Sequence, residues 1–253
     1  MYPEERQQWI VESARAAGRV DVTALAEALD VTTETIRRDL KALERHGMLR
    51  RVHGGAIPIE RLGFEPGLAT RDAVLTAEKE RIAKLALAEL PAEGTVLLDA
   101  GTTTARLAEA LPLDRELVVV TNGLPIAMSL SARPNLTVLL VGGRVRGRTL
   151  AAVDSWALRA LEDTYVDVAF LGTNGISLER GLTTPDTNEA AIKRAMVRSA
   201  RRTVVLADHS KIGVDHLARF AVLEDIDVLV TDSGVDPDYA ERLRSAGPRV
   251  VIA

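Results

Sequence analysis

From Thr76 onward, short β-branched runs alternate with helix-length segments, and no other feature restricts the fold so tightly. Thr95-Val-Leu-Leu-Asp99, Leu117-Val-Val-Val-Thr121, Thr137-Val-Leu-Leu-Val141, Val166-Asp-Val-Ala-Phe-Leu171, Thr203-Val-Val-Leu-Ala207, Val228-Leu-Val-Thr231 and Val250-Val-Ile252 read as strands. Segments 77–90, 103–111, 125–131, 152–161, 189–200 and 237–245 read as helices. Apolar strands separated by helices predict a largely parallel sheet covered on both faces. In open sheets of this kind, ligands sit beyond the carboxyl ends of the strands.

Those ends are polar and glycine-rich. They read Asp99-Ala-Gly101-Thr102-Thr103-Thr104, Thr121-Asn122-Gly123, Gly142-Gly143-Arg144, Gly172-Thr173-Asn174-Gly175 and Asp208-His209-Ser210-Lys211. One such segment is equally a tight turn. Five in succession predict a single polar pocket. Gly101 admits close backbone approach, and the N–H groups and threonine hydroxyls that follow suit a phosphate at a helix N-terminus. Arg144, Arg146, Arg148 and Lys211 would add positive charge, and Asp99, Asn122, Asn174 and Asp208 would meet sugar hydroxyls. Glu189 and Lys193 stand at i and i+4, so they are either an exposed helix pair or residues of the pocket rim.

The first fifty-eight residues follow a different pattern. Pro3 to Ala17 reads as a helix with Trp9, Ile10, Ser13 and Ala17 inward, stopped at Gly18. Val22 to Leu29 is a shorter helix, and Asp30-Val31 is a break. In Thr32 to Leu43, Ile36, Leu40 and Leu43 form one apolar face and Thr32 caps the first turn. Met48 to His53, a Gly54-Gly55 turn and Ala56-Ile57 make a hairpin. This is a winged helix-turn-helix, whose second helix enters the major groove. Thr33, Glu34, Thr35, Arg37 and Arg38 are candidates for the bases and Lys41, Arg45, Arg51 and His53 for the phosphates, with Thr32 also in the DNA-binding set. Residues 1–58 are thus expected to bind double-stranded DNA, 59–75 to be a linker with Phe64 as a docking point, and 76–253 to form the α/β domain.

Composition sets limits on this assignment. The 253-residue chain carries a net charge of −4, which is unusual for a DNA-binding protein. Between Val31 and His53, however, Arg37, Arg38, Lys41, Arg45, Arg50 and Arg51 outnumber Glu34, Asp39 and Glu44, and phosphates need only a locally basic surface. The absence of cysteine excludes disulfides and thiolate metal sites. His46, His53, His209 and His216 have no ligand spacing, so neither metal nor cofactor is expected. The charged N-terminus lacks an apolar leader, and no run reaches transmembrane length. A cytoplasmic protein with no membrane partner is expected.

Arg19 to Leu40, with Thr35-Ile-Arg-Arg-Asp-Leu40, and Leu49-Arg-Arg-Val-His-Gly-Gly-Ala56 closely resemble the winged helix-turn-helix of the DeoR family, bacterial repressors of sugar and nucleoside metabolism. Leu98 to Thr104, Val120-Thr-Asn122, Val141 to Arg144, Leu171 to Ile176, Gly181-Leu-Thr183, Glu189 to Lys193 and Ala207 to Lys211 are similar to the sensor domain of that family. The resemblance implies a fold like that of sugar-phosphate isomerases and a phosphorylated sugar that controls operator affinity. It also implies a homodimer or homotetramer assembled through the sensor domain. The opening Met1-Tyr-Pro-Glu-Glu-Arg-Gln7 is similar to members that regulate fructose use, which implies a fructose phosphate.

The rival is a catalytic sugar-phosphate isomerase, which needs a base beside C–H and an acid at the carbonyl. The isomerases carry several carboxylates after the fourth strand. Here Gly172 to Ser177 holds none before Glu179, although Asp99, Asp208 or Glu189 remain as bases. That departure and the fused DNA-binding region favour a regulator that is not an enzyme.

Overall fold

The computed structural model describes residues 2–58 and 65–253. It divides into two compact units, Met1–Leu75 and Thr76–Ala253.

The first unit opens with α1 (Pro3–Ala17), β1 (Val20–Asp21), α2 (Val22–Ala28) and α3 (Thr33–Arg45), followed by β2 (Leu49–Val52), β3 (Gly55–Pro58) and α4 (Leu68–Asp72). Pro3, Glu4 and Glu5 occupy the first turn of α1, and Gly18 ends it with φ 72°, as proline and acid at the start and glycine at the stop favour. The inward face differs from the one the spacing suggests. Ile10, Val11 and Ala14 are buried, whereas Trp9 is 39% exposed and Ala17 also faces out. The stripe runs through Arg6, Ile10 and Ala14, because the guanidinium of Arg6 meets Asp39 inside the unit. Ile36, Leu40 and Leu43 of α3 and Leu25 of α2 complete this core.

Asp21 caps α2 through Thr23 N–H and Ala24 N–H, and Thr32 caps α3 through Thr35 N–H. Within the hairpin, Arg51 pairs with Ala56 and Val52 with Gly55. The turn is therefore His53–Gly54, one residue earlier than the glycine pair implies, with Gly54 at φ 77°. Gly55 serves another purpose. β1 lies alongside β3, and a Cβ on Gly55 would sit 1.9 Å from the Val20 carbonyl oxygen. The sequence gives no warning of β1, since two residues show no periodicity. The presumed linker contains α4, and Phe64 lies outside the described residues.

The second unit is built on seven parallel strands: β4 (Gly94–Leu98), β5 (Leu117–Thr121), β6 (Leu136–Leu140), β9 (Val168–Gly172), β12 (Thr203–Leu206), β14 (Val228–Thr231) and β15 (Arg249–Ile252). Their order is β15-β14-β12-β9-β4-β5-β6. The first strand is thus interior, and the chain winds outward from it in both directions. Helix α5 (Thr76–Ala86) precedes β4, and α6 (Thr102–Ala110), α7 (Leu124–Leu130), α8 (Asp154–Glu162), α9 (Thr187–Ser199) and α10 (Pro237–Ser245) lie in the connections between strands. Two hydrophobic clusters, one containing Leu97, Leu171 and Val205 and the other Val96, Phe170 and Val204, lie on opposite faces, as alternation along each strand requires.

Several boundaries differ from expectation by one to four residues, two of them because another element takes over. The helix over 77–90 ends at Ala86, and Leu87–Glu89 tightens into one 3₁₀ turn. Ala152 belongs to β8 (Ala151–Val153), which pairs with β7 (Arg144–Arg146), and the helix starts only at Asp154. A further antiparallel sheet joins β10 (Gly175–Ser177), β11 (Gly181–Thr184) and β13 (Ala218–Ala221). These strands of three or four residues are too short to declare themselves in a sequence.

Candidate functional site

In the first unit, α3 has its apolar side against the core and its basic side in solvent. The side chains of Arg37 and Arg38 are 61% and 82% exposed, and Lys41 and Arg45 are exposed too. Glu34 lies 3.7 Å from the Arg37 guanidinium and 3.9 Å from that of Arg38. Thr33 and Thr35 are half-buried at the helix start, and Thr32 is exposed. On the wing, Arg50, Arg51 and His53 are exposed. Arg51 N–H donates to Glu44 Oε1 at 3.0 Å, tying the wing to the last turns of α3. Asp39, counted in the sequence among acids that dilute this surface, is instead buried.

In the second unit, the chain reverses its winding direction between β4 and β9, where open α/β sheets carry their ligands. Asp99 follows β4 and Gly172 ends β9. Lys193, from the second turn of α9, pairs with Asp99 Oδ2 and donates to the Gly172 carbonyl at 2.9 Å. Gly172 N–H donates to the same carboxylate oxygen at 3.0 Å. Both side chains are buried. Glu189 and Lys193 are thus not an exposed helix pair. Glu189 is buried as well, and it accepts from Arg146 at 3.0 Å and from Thr149. Arg146 also lies 3.2 Å from Asp186, the cap of α9, so the β7–β8 hairpin is fastened to the start of that helix.

One strand further on, Asp208 is buried after β12 and accepts from Ser210 N–H at 3.1 Å and from the Ser210 hydroxyl. Lys211 Nζ donates to Ser210 Oγ at 3.1 Å. Burial pushes the Asp208 carboxyl upward. The charge of Lys211, the Ser210 hydrogen bond and the charge of Lys79 outweigh it and hold the group below its ordinary range. After β14, Asp232 accepts from His209 N–H at 2.8 Å and contacts His209 Nδ1 at 2.7 Å. Its carboxyl is likewise low, because hydrogen bonds from His209 and Gly234 exceed the effect of burial.

The other polar loop residues are arranged around this cluster. Thr102, Thr103 and Thr104 form the buried first turn of α6 after Gly101, and Thr104 donates to the Gly101 carbonyl at 3.1 Å. Asn122 accepts from Ala100 N–H at 2.9 Å and donates to the Ala152 carbonyl at 3.2 Å, so its amide holds two loops together. Thr121 accepts from Gly123 N–H. Thr173 donates to the carbonyls of Gly175 and Thr183. Asn174 is half-buried and Gly175 is buried within β10. Gly142 is exposed, and Gly143 has φ 143°, with space for a Cβ closed by the Val153 carbonyl at 2.6 Å. Arg144 points to solvent and pairs with Asp154 at 2.5 Å, and Arg148 is exposed.

Two members of this cluster escaped the sequence reading. Lys79 lies in the first turn of α5 and is buried. In a parallel unit, a helix that precedes a strand begins at the carboxyl end of the sheet, so its position was a topological signal. Asp232 follows its strand as Asp99 and Asp208 follow theirs, a repetition visible in the sequence. Ser210 lay within the expected polar strand end, without a role of its own.

Comparison with known proteins agrees with both units. The DeoR-like helix-turn-helix domain matches residues 6–61, and the DeoR C-terminal sensor domain matches residues 75–233. The chain belongs to the DeoR family. The HTH-type transcriptional regulator GlpR of Haloferax volcanii is 40% identical over 99% of this chain and 98% of its own length. The uncharacterized HTH-type transcriptional regulator FruR of Bacillus subtilis is 35% identical, and the glycerol-3-phosphate regulon repressor of Escherichia coli is 31% identical, each over 92% of both chains. Ribose 5-phosphate isomerase A from Neisseria gonorrhoeae is a structural neighbour at 18% identity and TM-score 0.40, over 59% of this chain and 57% of its own. The family members named here are transcriptional regulators. Among the described residues, no helix is long and apolar enough to cross a membrane.

Proposed function

We propose that this chain is a repressor of a sugar-utilisation operon, released from its operator by a phosphorylated sugar held at the strand ends of the second unit. The observation that supports this most directly is the concentration of Lys79, Lys193 and Lys211 around Asp99 and Asp208 beside the first turn of α6. Amides of a first helical turn have no partner within their helix and favour an anion. Thr102 and Thr103 contribute hydroxyls to the same anion. The buried carboxylates and Asn174 accept from sugar hydroxyls, while Asn122, Thr121 and Thr173 hold the loops in shape. Glu189 and Arg146 close the side nearest the hairpin. A fructose phosphate is the first ester to test, because the N-terminal segment resembles regulators of fructose use.

In the first unit, Arg37 and Arg38 face the base edges with Thr33, Glu34 and Thr35. Lys41, Arg45, Arg51 and His53 hold phosphates. Two copies present two reading helices about one helical turn apart.

Fluorescence anisotropy on DNA from upstream of the gene, at fixed salt, tests the whole scheme. Release by one phosphate ester but not by its unphosphorylated parent is the expected result. Specific binding that no ester perturbs would remove the pocket assignment and leave the DNA assignment standing. The oriented His209–Asp232 pair keeps one rival in view, an isomerase. Turnover of an aldose or ketose phosphate at ordinary enzyme rates would replace the sensor reading.

A further inference from the structure

We infer that the buried cluster Arg6–Asp39–Gln7 fixes the rotation of α3 about its own axis, which makes Asp39 a positioning residue for sequence discrimination. This rests on the proposal that α3 reads DNA.

Arg6 Nε donates to Asp39 Oδ2 at 2.6 Å, and Gln7 Nε2 donates to Asp39 Oδ1 at 2.9 Å. Arg6 is 9% exposed and Asp39 5%. Both carboxylate oxygens are therefore held by successive residues of one helix, α1, from two directions. The rest of this contact is apolar, with Ile10, Val11 and Ala14 facing Ile36, Leu40 and Leu43. Apolar contact is non-directional and tolerates repacking of side chains of similar volume. A carboxylate gripped at both oxygens does not.

The consequence for the outer face follows from helical geometry. At about 100° per residue, Arg37 and Lys41 project about 160° and 200° from Asp39, on the opposite side of α3. Glu34, Arg45 and Arg38 follow at about 220°, 240° and 260°. The buried stripe is offset, with Leu43, Ile36 and Leu40 at about 40°, 60° and 100°. Asp39 thus stands at one edge of that stripe, where it blocks a roll that the leucines alone would permit. Such a roll, by about 40°, would put Arg37 where Lys41 stands on the outer face. A buried ion pair is weak support for stability, and its best-attested use is to specify register.

The test uses the full-length protein with operator and scrambled duplexes at one salt concentration, alongside thermal unfolding. Arg6→Met combined with Asp39→Leu replaces the pair by apolar groups. It is expected to unfold no earlier than the parent and to keep its affinity for scrambled DNA, since Arg37, Arg38 and Lys41 remain. Its ratio of operator to scrambled affinity should fall about tenfold. A well-folded double variant with the parental ratio overturns the inference. Should the double variant unfold, Gln7→Leu decides, because it frees one carboxylate oxygen and leaves the ion pair: a lowered ratio supports the inference and an unchanged ratio overturns it. A parent that shows no discrimination at all removes the DNA-reading proposal itself, an outcome distinct from either.

Discussion

Lys193 and Asp208 show how differently two buried charges behave in one cluster. Lys193 has Asp99 as its ionic partner, and Asp99 depends on Lys193 in turn. Lys193→Met leaves a carboxylate at 2% exposure without its cation, and loss of one member of a buried pair costs about 3–5 kcal/mol. The urea midpoint of the second unit should fall accordingly, and Lys193→Met with Asp99→Leu should recover most of it. Equal midpoints for the parent and the single variant would show the pair to be energetically idle. Asp208 predicts a pH effect instead. Its carboxyl is held low in the fold, so it binds a proton less readily when folded than when unfolded. The stability it contributes is full above about pH 3.9, the unfolded value, and disappears as the pH falls through the lower folded value. Asp208→Asn should flatten that part of the acid-unfolding profile.

At the scale of elements, the long periodic segments were legible and the short ones were not. The strands β5 and β14 and the helix α10 stand where their patterns put them and β4 lies one residue earlier, because three or four consecutive apolar residues in a strand, or a proline-led segment with Ala240 and Leu243 at i and i+3, have few alternatives when bounded by turns. β1, β7, β8, β10 and β13 were invisible, since two to four residues carry no period, and β1 and β13 also pair with strands distant in sequence. The polar strand ends were legible as a class, but the division of labour among them was not. Nothing in Thr121-Asn122-Gly123 says that the amide of Asn122 is engaged by Ala100 and Ala152, and nothing in Glu189 to Lys193 says that each side chain seeks a separate partner. Two further tests belong to elements. Thr32→Ala removes the cap of α3, a loss of about 1 kcal/mol, and should weaken operator binding without altering ligand affinity. Gly55→Val should do so more severely, because its side chain meets the Val20 carbonyl and forces β1 away from the wing.

For the whole molecule, the acidic net charge and the exposed basic side of α3, if it reads DNA as proposed, predict strong salt dependence from a small part of the chain. Each phosphate contact contributes about 0.9 to the slope of log affinity against log salt, so Lys41→Ala should lower that slope by about one for each reading helix engaged. If the ester weakens operator binding by some factor, operator DNA must weaken ester binding by the same factor, and calorimetry with and without DNA would reveal any failure of that equality. A further consequence concerns synthesis. β4 is the first strand of its sheet to leave the ribosome, yet it ends in the interior, with Val96 paired to Val119 on one side and to Val168 on the other. While β9 is still being made, the nascent chain holds β4 as an open edge of apolar side chains, the arrangement most prone to pairing with a neighbouring polysome product. Rare codons or a stalled message between Leu140 and Val168 would prolong that interval, and aggregation during expression should rise there rather than after β12 has closed over β9.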